Sequence, residues 1–168
     1  MSGQHSGTPA SPASPTSSGS PDLVLRPATH ADVEPIAELR AVVMRADLER
    51  LGRYDGQRVR QRLRDAFDPD CTWVLLVSGA FAGCVAFRPA EDGHWVEHFY
   101  LAPAHQNRGL GAAALRTLLD RADRLGLTVR LNVLQGSPAR RLYERHGFRV
   151  ERQDPVDVFM VRPSGPSD

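Results

Sequence analysis

The stretch Gln106-Asn107-Arg108-Gly109-Leu110-Gly111 constrains this chain more than any other. It follows an apolar, strand-like run, Trp95-Val96-Glu97-His98-Phe99-Tyr100-Leu101. It leads into Leu110, Ala113, Ala114, Leu115, Leu118, Leu119, Ala122 and Leu125, apolar positions at helical spacing that Gly126 terminates. A glycine loop between strand and helix is suited to an anion. The first backbone N–H groups of a helix lack internal partners, and the positive end of the helix dipole lies there. Gly109 and Gly111 carry no side chain, so a phosphate can approach the backbone, and a pyrophosphate fits such a loop. Arg108 can add a charge-assisted bond or point to solvent.

Three kinds of phosphate binder compete for this loop. A P-loop needs a Lys and a Ser or Thr after its last glycine, and no such string occurs in the chain. A dinucleotide fingerprint is matched in letters by Gly109-x-Gly111-x-x-Ala114. That site, however, needs its first glycine directly off the strand and an acid about 20 residues on. Here Ala102 to Arg108 intervene, and the next strand ends Leu131-Asn132-Val133-Leu134-Gln135 without an acid. The third pattern is [RQ]-x-x-G-x-[GA] after a strand ending in x-Pro, and Leu101-Ala102-Pro103 through Ala112 has it.

The rest of the chain supplies a sheet for this loop. Residues 1–21, rich in Ser, Pro and Gly, offer almost nothing for a core and are expected to be disordered, as is the tail 164–168. The folded unit is 22–163. Leu23–Arg26 reads as a first strand, and Thr29 with Asp32 as a capping box. Val33, Ile36, Ala37, Leu39, Val43, Met44 and Leu48 predict one helix, and residues 55–67 a second with a basic outer face. The period then changes: 72–77 and 81–87 form a hairpin, followed by strand 95–101, the long helix, strand 128–133, a short helix from Pro138 to His146, and two closing strands. The fold class is α/β (α+β): a mixed sheet with helices on both faces.

The segment Ser137-Pro138-Ala139-Arg140-Arg141-Leu142-Tyr143-Glu144-Arg145-His146-Gly147-Phe148 is similar to the "N-P-A-x-x-L-Y-E-x-x-G-F" segment of the GNAT N-acetyltransferase superfamily. The glycine loop and the opening Leu25-Arg26-Pro27-Ala28-Thr29 with Asp32 resemble the same family, so the likeness spans nearly all of 22–163. The resemblance implies a mostly antiparallel central sheet of about six to seven strands flanked by about four helices. It also implies acetyl-CoA as acyl-donor cosubstrate, and transfer of the acetyl group to a primary amine of a small molecule, protein or peptide by direct attack on the thioester. The alternative is a non-catalytic acyl-CoA-binding module with a regulatory or interaction role. The strand before the loop would splay from its neighbour and lay Phe99, Tyr100 and Leu101 along the pantetheine arm. The amides of Gln106, Asn107, Arg108, Gly109, Leu110, Gly111 and Ala112 would hold the pyrophosphate. Ser137 stands where the family has an Asn that bonds the cosubstrate.

By the same resemblance Tyr143 is the general acid for the leaving thiolate, and Glu97, on the strand before the loop, the general base through water. Strand parity puts Glu97 on one face with Phe99 and Leu101, and His98 on the other. His94 and His105 fall at edges. No His or Cys spacing suggests a metal, and Cys71 and Cys84 read as small buried residues. The acceptor side, roughly 44–60 and 152–160, carries Arg45, Arg50, Arg53, Arg58 and Arg62 close by, but also Asp154 and Asp157. It leaves anionic and cationic acceptors equally open. The 21 basic and 20 acidic residues give a net charge of +1, which offers no bulk attraction for nucleic acid or an anionic membrane. The absence of a signal-peptide pattern and of a membrane-length apolar run leads to the expectation of a cytoplasmic protein. Family members often pair through their C-terminal strands, so a homodimer is a further expectation.

Overall fold

The computed structural model describes residues 22–165; of the tails expected to be disordered, 1–21 and 164–168, residues 1–21 and 166–168 lie outside the described residues. The elements run β1 (Leu23–Pro27), α1 (Val33–Val43), α2 (Arg45–Arg50), α3 (Gly56–Ala66), β2 (Thr72–Val77), β3 (Ala80–Ala90), β4 (Gly93–Leu101), α4 (Leu110–Arg124), β5 (Val129–Leu134), α5 (Ala139–Arg145), β6 (Arg149–Gln153) and β7 (Asp157–Arg162). The helix expected over 33–48 is two helices that meet at Met44, so five helices are described where four were expected. None of them is long and apolar enough to cross a membrane.

The seven strands form one sheet in the order β1-β2-β3-β4-β5-β7-β6. Every pairing is antiparallel except β4 with β5. One face is covered by α4 and α5. Leu115, Leu118, Leu119 and Ala122 of α4 pack there on Leu75, Val85, Phe87, Val96 and Leu131, with Tyr143 and Phe148 at the edge of the cluster. Each fully buried Leu, Val or Phe contributes about 1.5–3 kcal/mol, which is why the 3.6-residue stripe of α4 faces the sheet. The other face is covered by α1 and α3, where Ile36, Ala37 and Leu63 meet Val74 and Cys84. Cys71 and Cys84 are buried and unpaired, and burial pushes the Cys84 thiol up to about 12.

Two irregularities of β4 shape the space beside it. First, β4 and β5 are joined only at His94↔Val129 and Trp95↔Arg130. Beyond Trp95 the parallel strands part, and the backbone of 96–101 has no ladder partner on that side. Second, the β3–β4 register jumps: Ala86 faces Glu97, yet Cys84 faces Tyr100, so β4 spends three residues where β3 spends two. The extra residue is a bulge at His98, whose φ of +46° lies in the left-handed region. Close by, Gly83 lets β3 approach β4, since a Cβ there would lie 2.1 Å from the Tyr100 carbonyl oxygen.

Candidate functional site

The glycine loop forms an open cradle of backbone N–H groups. Gly109 caps α4 in the left-handed conformation (φ +75°), which glycine adopts without steric cost. Asn107, also left-handed at φ +61°, turns the chain before it. Ala113 is the first residue of the turn to donate within the helix, to the Gly109 carbonyl at 3.1 Å. The N–H groups of Asn107 through Ala112 therefore have no backbone acceptor among the described residues. Gln106 departs from expectation. Its N–H bonds the Pro103 carbonyl (3.3 Å) and its side-chain amide donates to the Leu101 carbonyl (2.9 Å), so it braces the loop instead of joining the row of free donors. Leu110 is buried and offers only its backbone. At Gly111 a Cβ would meet only ordinary van der Waals neighbours, Leu101 Cδ1 at 3.4 Å and Leu142 Cδ2 at 3.6 Å. Arg108 is exposed.

Beside the cradle, the parting of β4 from β5 opens a cleft of about 870 Å³ that reaches through the sheet to α1–α3. Its walls are Val96 to Tyr100 of β4, Leu131 to Leu134 of β5, and Ser137 and Tyr143 on the α5 side. Tyr143 is 6% exposed. Its ring packs on Phe148 (centroids 5.7 Å apart) and Phe99 (6.5 Å), and its hydroxyl has no hydrogen-bond partner among the described residues. Burial raises its pKa above the ordinary phenol value, so the hydroxyl keeps its proton at neutral pH. The Ser137 hydroxyl oxygen accepts from the Ala139 N–H at 3.3 Å, and its own hydrogen has no acceptor among the described residues.

The bulge overturns the expected parity. Phe99 and Leu101 pack in the α4-side core with Tyr143, whereas Tyr100 packs on the α1–α3 face. Glu97, opposite Ala86 and two places along from Cys84, lies on the Tyr100 face. Its carboxylate takes three hydrogen bonds from Arg88, at 2.7, 3.2 and 3.2 Å. His98, expected on the far face from Glu97, turns with Tyr100 and has its Nδ1 3.3 Å from the Tyr100 hydroxyl. A left-handed residue in mid-strand resets the two-residue alternation, and parity counted through it gives the wrong face.

Three participants escaped the sequence reading. Arg40 donates from Nε to the Tyr100 hydroxyl (3.1 Å) and from Nη1 to the Val59 carbonyl, tying α1 to β4 and α3. Met44 Sδ lies 3.6 Å from the same hydroxyl. Asn132 donates to Asp157 (2.9 Å) at the cleft wall. Arg40 had left a signal: it sits in the Ile36–Met44 stripe, at i+4 from Ile36 and i−4 from Met44, where an apolar residue is the norm. At the outer rim the carboxylates are occupied. Asp47 pairs with Arg50 (2.6 Å), and Asp55 accepts from the N–H groups of Gln57 and Arg58 that open α3. Arg53, Arg58 and Arg62 line the cleft without a side-chain partner among the described residues. No group of three His, Cys, Asp or Glu suited to a metal occurs among the described residues.

A model of the acetyltransferase (GNAT) family matches residues 36–148, which takes in the loop, the cleft walls and Tyr143. No curated protein sequence matches the chain. Among solved structures, the fold is similar to the PaiA N-acetyltransferase from Thermoplasma acidophilum in complex with coenzyme A. That likeness has a TM-score of 0.69 and 17% identity, over 84% of this chain and 99% of that one. It is also similar to the ribosomal-protein-S18-alanine N-acetyltransferase from Escherichia coli (0.64, 17%, covering 87% and 96%). An acetyltransferase from Thermus thermophilus compares at 0.66 and 20%, over 84% and 96%. At such identities the likeness is one of fold.

Proposed function

The chain belongs to the acetyltransferase (GNAT) family, and from that premise we propose that it transfers an acetyl group from acetyl-CoA to a primary amine by direct attack on the thioester. The observation that carries the reading is the adjacency of two unpaired rows of backbone donors and acceptors. The free N–H groups of Asn107 to Ala112 suit a pyrophosphate, and the unpaired edge of β4 beyond Trp95 suits the amide-bearing pantetheine arm. A donor lying along both would bring its thioester into the cleft at the bulge.

In this reading the amine attacks the carbonyl carbon from the α1–α3 side. The Tyr143 hydroxyl, from the α4 side, donates a hydrogen bond to sulfur as the C–S bond breaks, and CoA leaves as the thiol. A phenol held protonated by burial supports that role. Glu97, the base that the family resemblance suggests, has its carboxylate held by Arg88, which leaves the acceptor of the amine's proton a separate assignment. The acceptor is a small molecule, or a protein or peptide amine. The unpaired Arg53, Arg58 and Arg62, set against rim carboxylates that are already engaged, favour an acceptor that bears an acid group near its amine.

A thiol-release assay with acetyl-CoA tests this against a panel of amino acids and other acidic amines, polyamines and peptides. Turnover is expected, strongest with the acidic amines. Failure of acetyl-CoA to raise the unfolding temperature refutes the donor site. The binding-module reading has one observation behind it, Ser137 standing where the family has an Asn; donor binding with no turnover across the panel selects it.

A further inference from the structure

The environment of His98 suits it to a step for which the sequence nominates Glu97. The Tyr100 hydroxyl has three neighbours: Arg40 Nε at 3.1 Å, His98 Nδ1 at 3.3 Å and Met44 Sδ at 3.6 Å. A phenol oxygen has one hydrogen to give and two lone pairs to receive. Arg40 can only donate and the thioether can only accept. One arrangement satisfies all three contacts: the phenol hydrogen goes to Met44, and the oxygen accepts from Arg40 and from a protonated Nδ1. A neutral imidazole protonated at Nδ1 has a bare lone pair at Nε2. Nε2 has no partner among the described residues, and His98 lines the cleft.

Burial, aided by the two nearby guanidinium groups, favours the neutral ring. Arg40 faces it from α1, Arg88 from β3 and Glu97 from its own strand. Burial, then Arg40, hold its pKa below the ordinary 6.5, with Glu97 opposing and Arg88 adding to the lowering. The backbone is held at φ +46°, which costs a non-glycine residue energy and is retained here on the wall of the cleft. Glu97, by contrast, has both carboxylate oxygens on Arg88.

We propose that His98 Nε2, oriented by the Tyr100–Arg40–Met44 contacts, takes the proton of the acceptor amine during acetyl transfer. The assignment rests on the acetyl-transfer reading. The amine lone pair forms the C–N bond, and the thioester π pair moves to oxygen. The nitrogen, now acidic, gives its proton to Nε2. The oxygen pair then returns as the C–S bond breaks, and the sulfur gains its proton from the Tyr143 hydroxyl. His98 releases its proton to solvent and Tyr143 regains one, so amine plus acetyl-CoA becomes amide plus CoA thiol.

The test compares kcat/KM against pH for the wild type, His98→Asn and Glu97→Gln, using an amine the wild type accepts. Asn tolerates a left-handed backbone, so His98→Asn is expected to fold. It should lose 10²–10⁴-fold, about the contribution of a general base, together with the inflection below pH 6.5, whereas Glu97→Gln keeps the inflection and most of the rate. His98→Gly, which also suits φ +46°, should recover turnover when imidazole is added, a rescue that a merely structural histidine does not show. Loss of the inflection in Glu97→Gln and its survival in His98→Asn overturns the proposal. So does an ¹⁵N NMR spectrum of the full chain showing His98 protonated at Nε2 and bare at Nδ1 near neutral pH. That spectrum needs no substrate, so it judges His98 even where a silent wild type has refuted acetyl transfer.

Discussion

Replacing Tyr143 by Phe separates chemistry from packing at one atom. The ring is buried against Phe99 and Phe148, and Phe keeps both contacts. The hydroxyl makes no hydrogen bond among the described residues, so the usual net ~0.5–1.5 kcal/mol of a lost bond is not forfeited. Removing an unpartnered polar group from a site 6% exposed is expected to leave stability unchanged or to raise it by up to about 1 kcal/mol. The effect on catalysis runs the other way. Loss of the group that assists departure of sulfur should lower kcat by 10²–10⁴-fold, or about 2.7–5.5 kcal/mol of barrier. Acetyl-CoA affinity should change little, because the donor N–H groups lie elsewhere. Burial raises the folded pKa, so the acid form persists well above neutral pH, and the deficit should be constant from pH 6 to 9. Steady-state thiol release and urea unfolding, run on the same preparations, read the two effects separately. An unchanged kcat refutes the assignment, and so does a kcat that falls in step with stability.

Other perturbations test the scaffold. Asp32 is held at about 2 against an ordinary 3.8, first by its hydrogen bonds to Arg26 (2.8 and 2.9 Å) and then by the Thr29 N–H (2.8 Å). Since the folded pKa is depressed, the contribution is present above pH 4 and lost as pH falls toward 2. Asp32→Asn should therefore cost about 2 kcal/mol at pH 7 and much less near pH 2; a pH-independent difference in unfolding free energy counts against it. Gly83→Ala drives a Cβ to 2.1 Å from the Tyr100 carbonyl oxygen; the β3–β4 pair must shift, costing about 1–3 kcal/mol or more in calorimetric unfolding. Gly109→Ala meets nothing within 4 Å, so only backbone strain of about 1–2 kcal/mol is expected. Measured acetyl-CoA affinity should fall with it as the cradle relaxes, and an affinity fully retained argues that the pyrophosphate is held elsewhere.

The chain's local chemistry settled a good part of this by itself. A glycine cap followed by a 3.6-residue apolar stripe can hardly be other than a helix with free N–H groups at its start. The alternating and continuous apolar runs fix strands because burial rewards only one register of side chains. The Tyr143 segment and the glycine loop were legible as segments, since each is contiguous in sequence and sets its own local geometry. The helix over 33–48 was placed correctly but not its break at Met44, which the apolar spacing spans without interruption. Side-chain facing on β4 was beyond reach. It depends on one residue, His98, taking a left-handed backbone where β3 and β4 fall out of step, and nothing in the string marks that position. The parting of β4 from β5, the pairing of Glu97 with Arg88 across two strands, and the meeting of Arg40, Met44, His98 and Tyr100 from a helix and a strand up to 60 residues apart exist only once the sheet is assembled. Alternation is a local rule, whereas the face a residue finally presents is set by the strand hydrogen-bonded beside it.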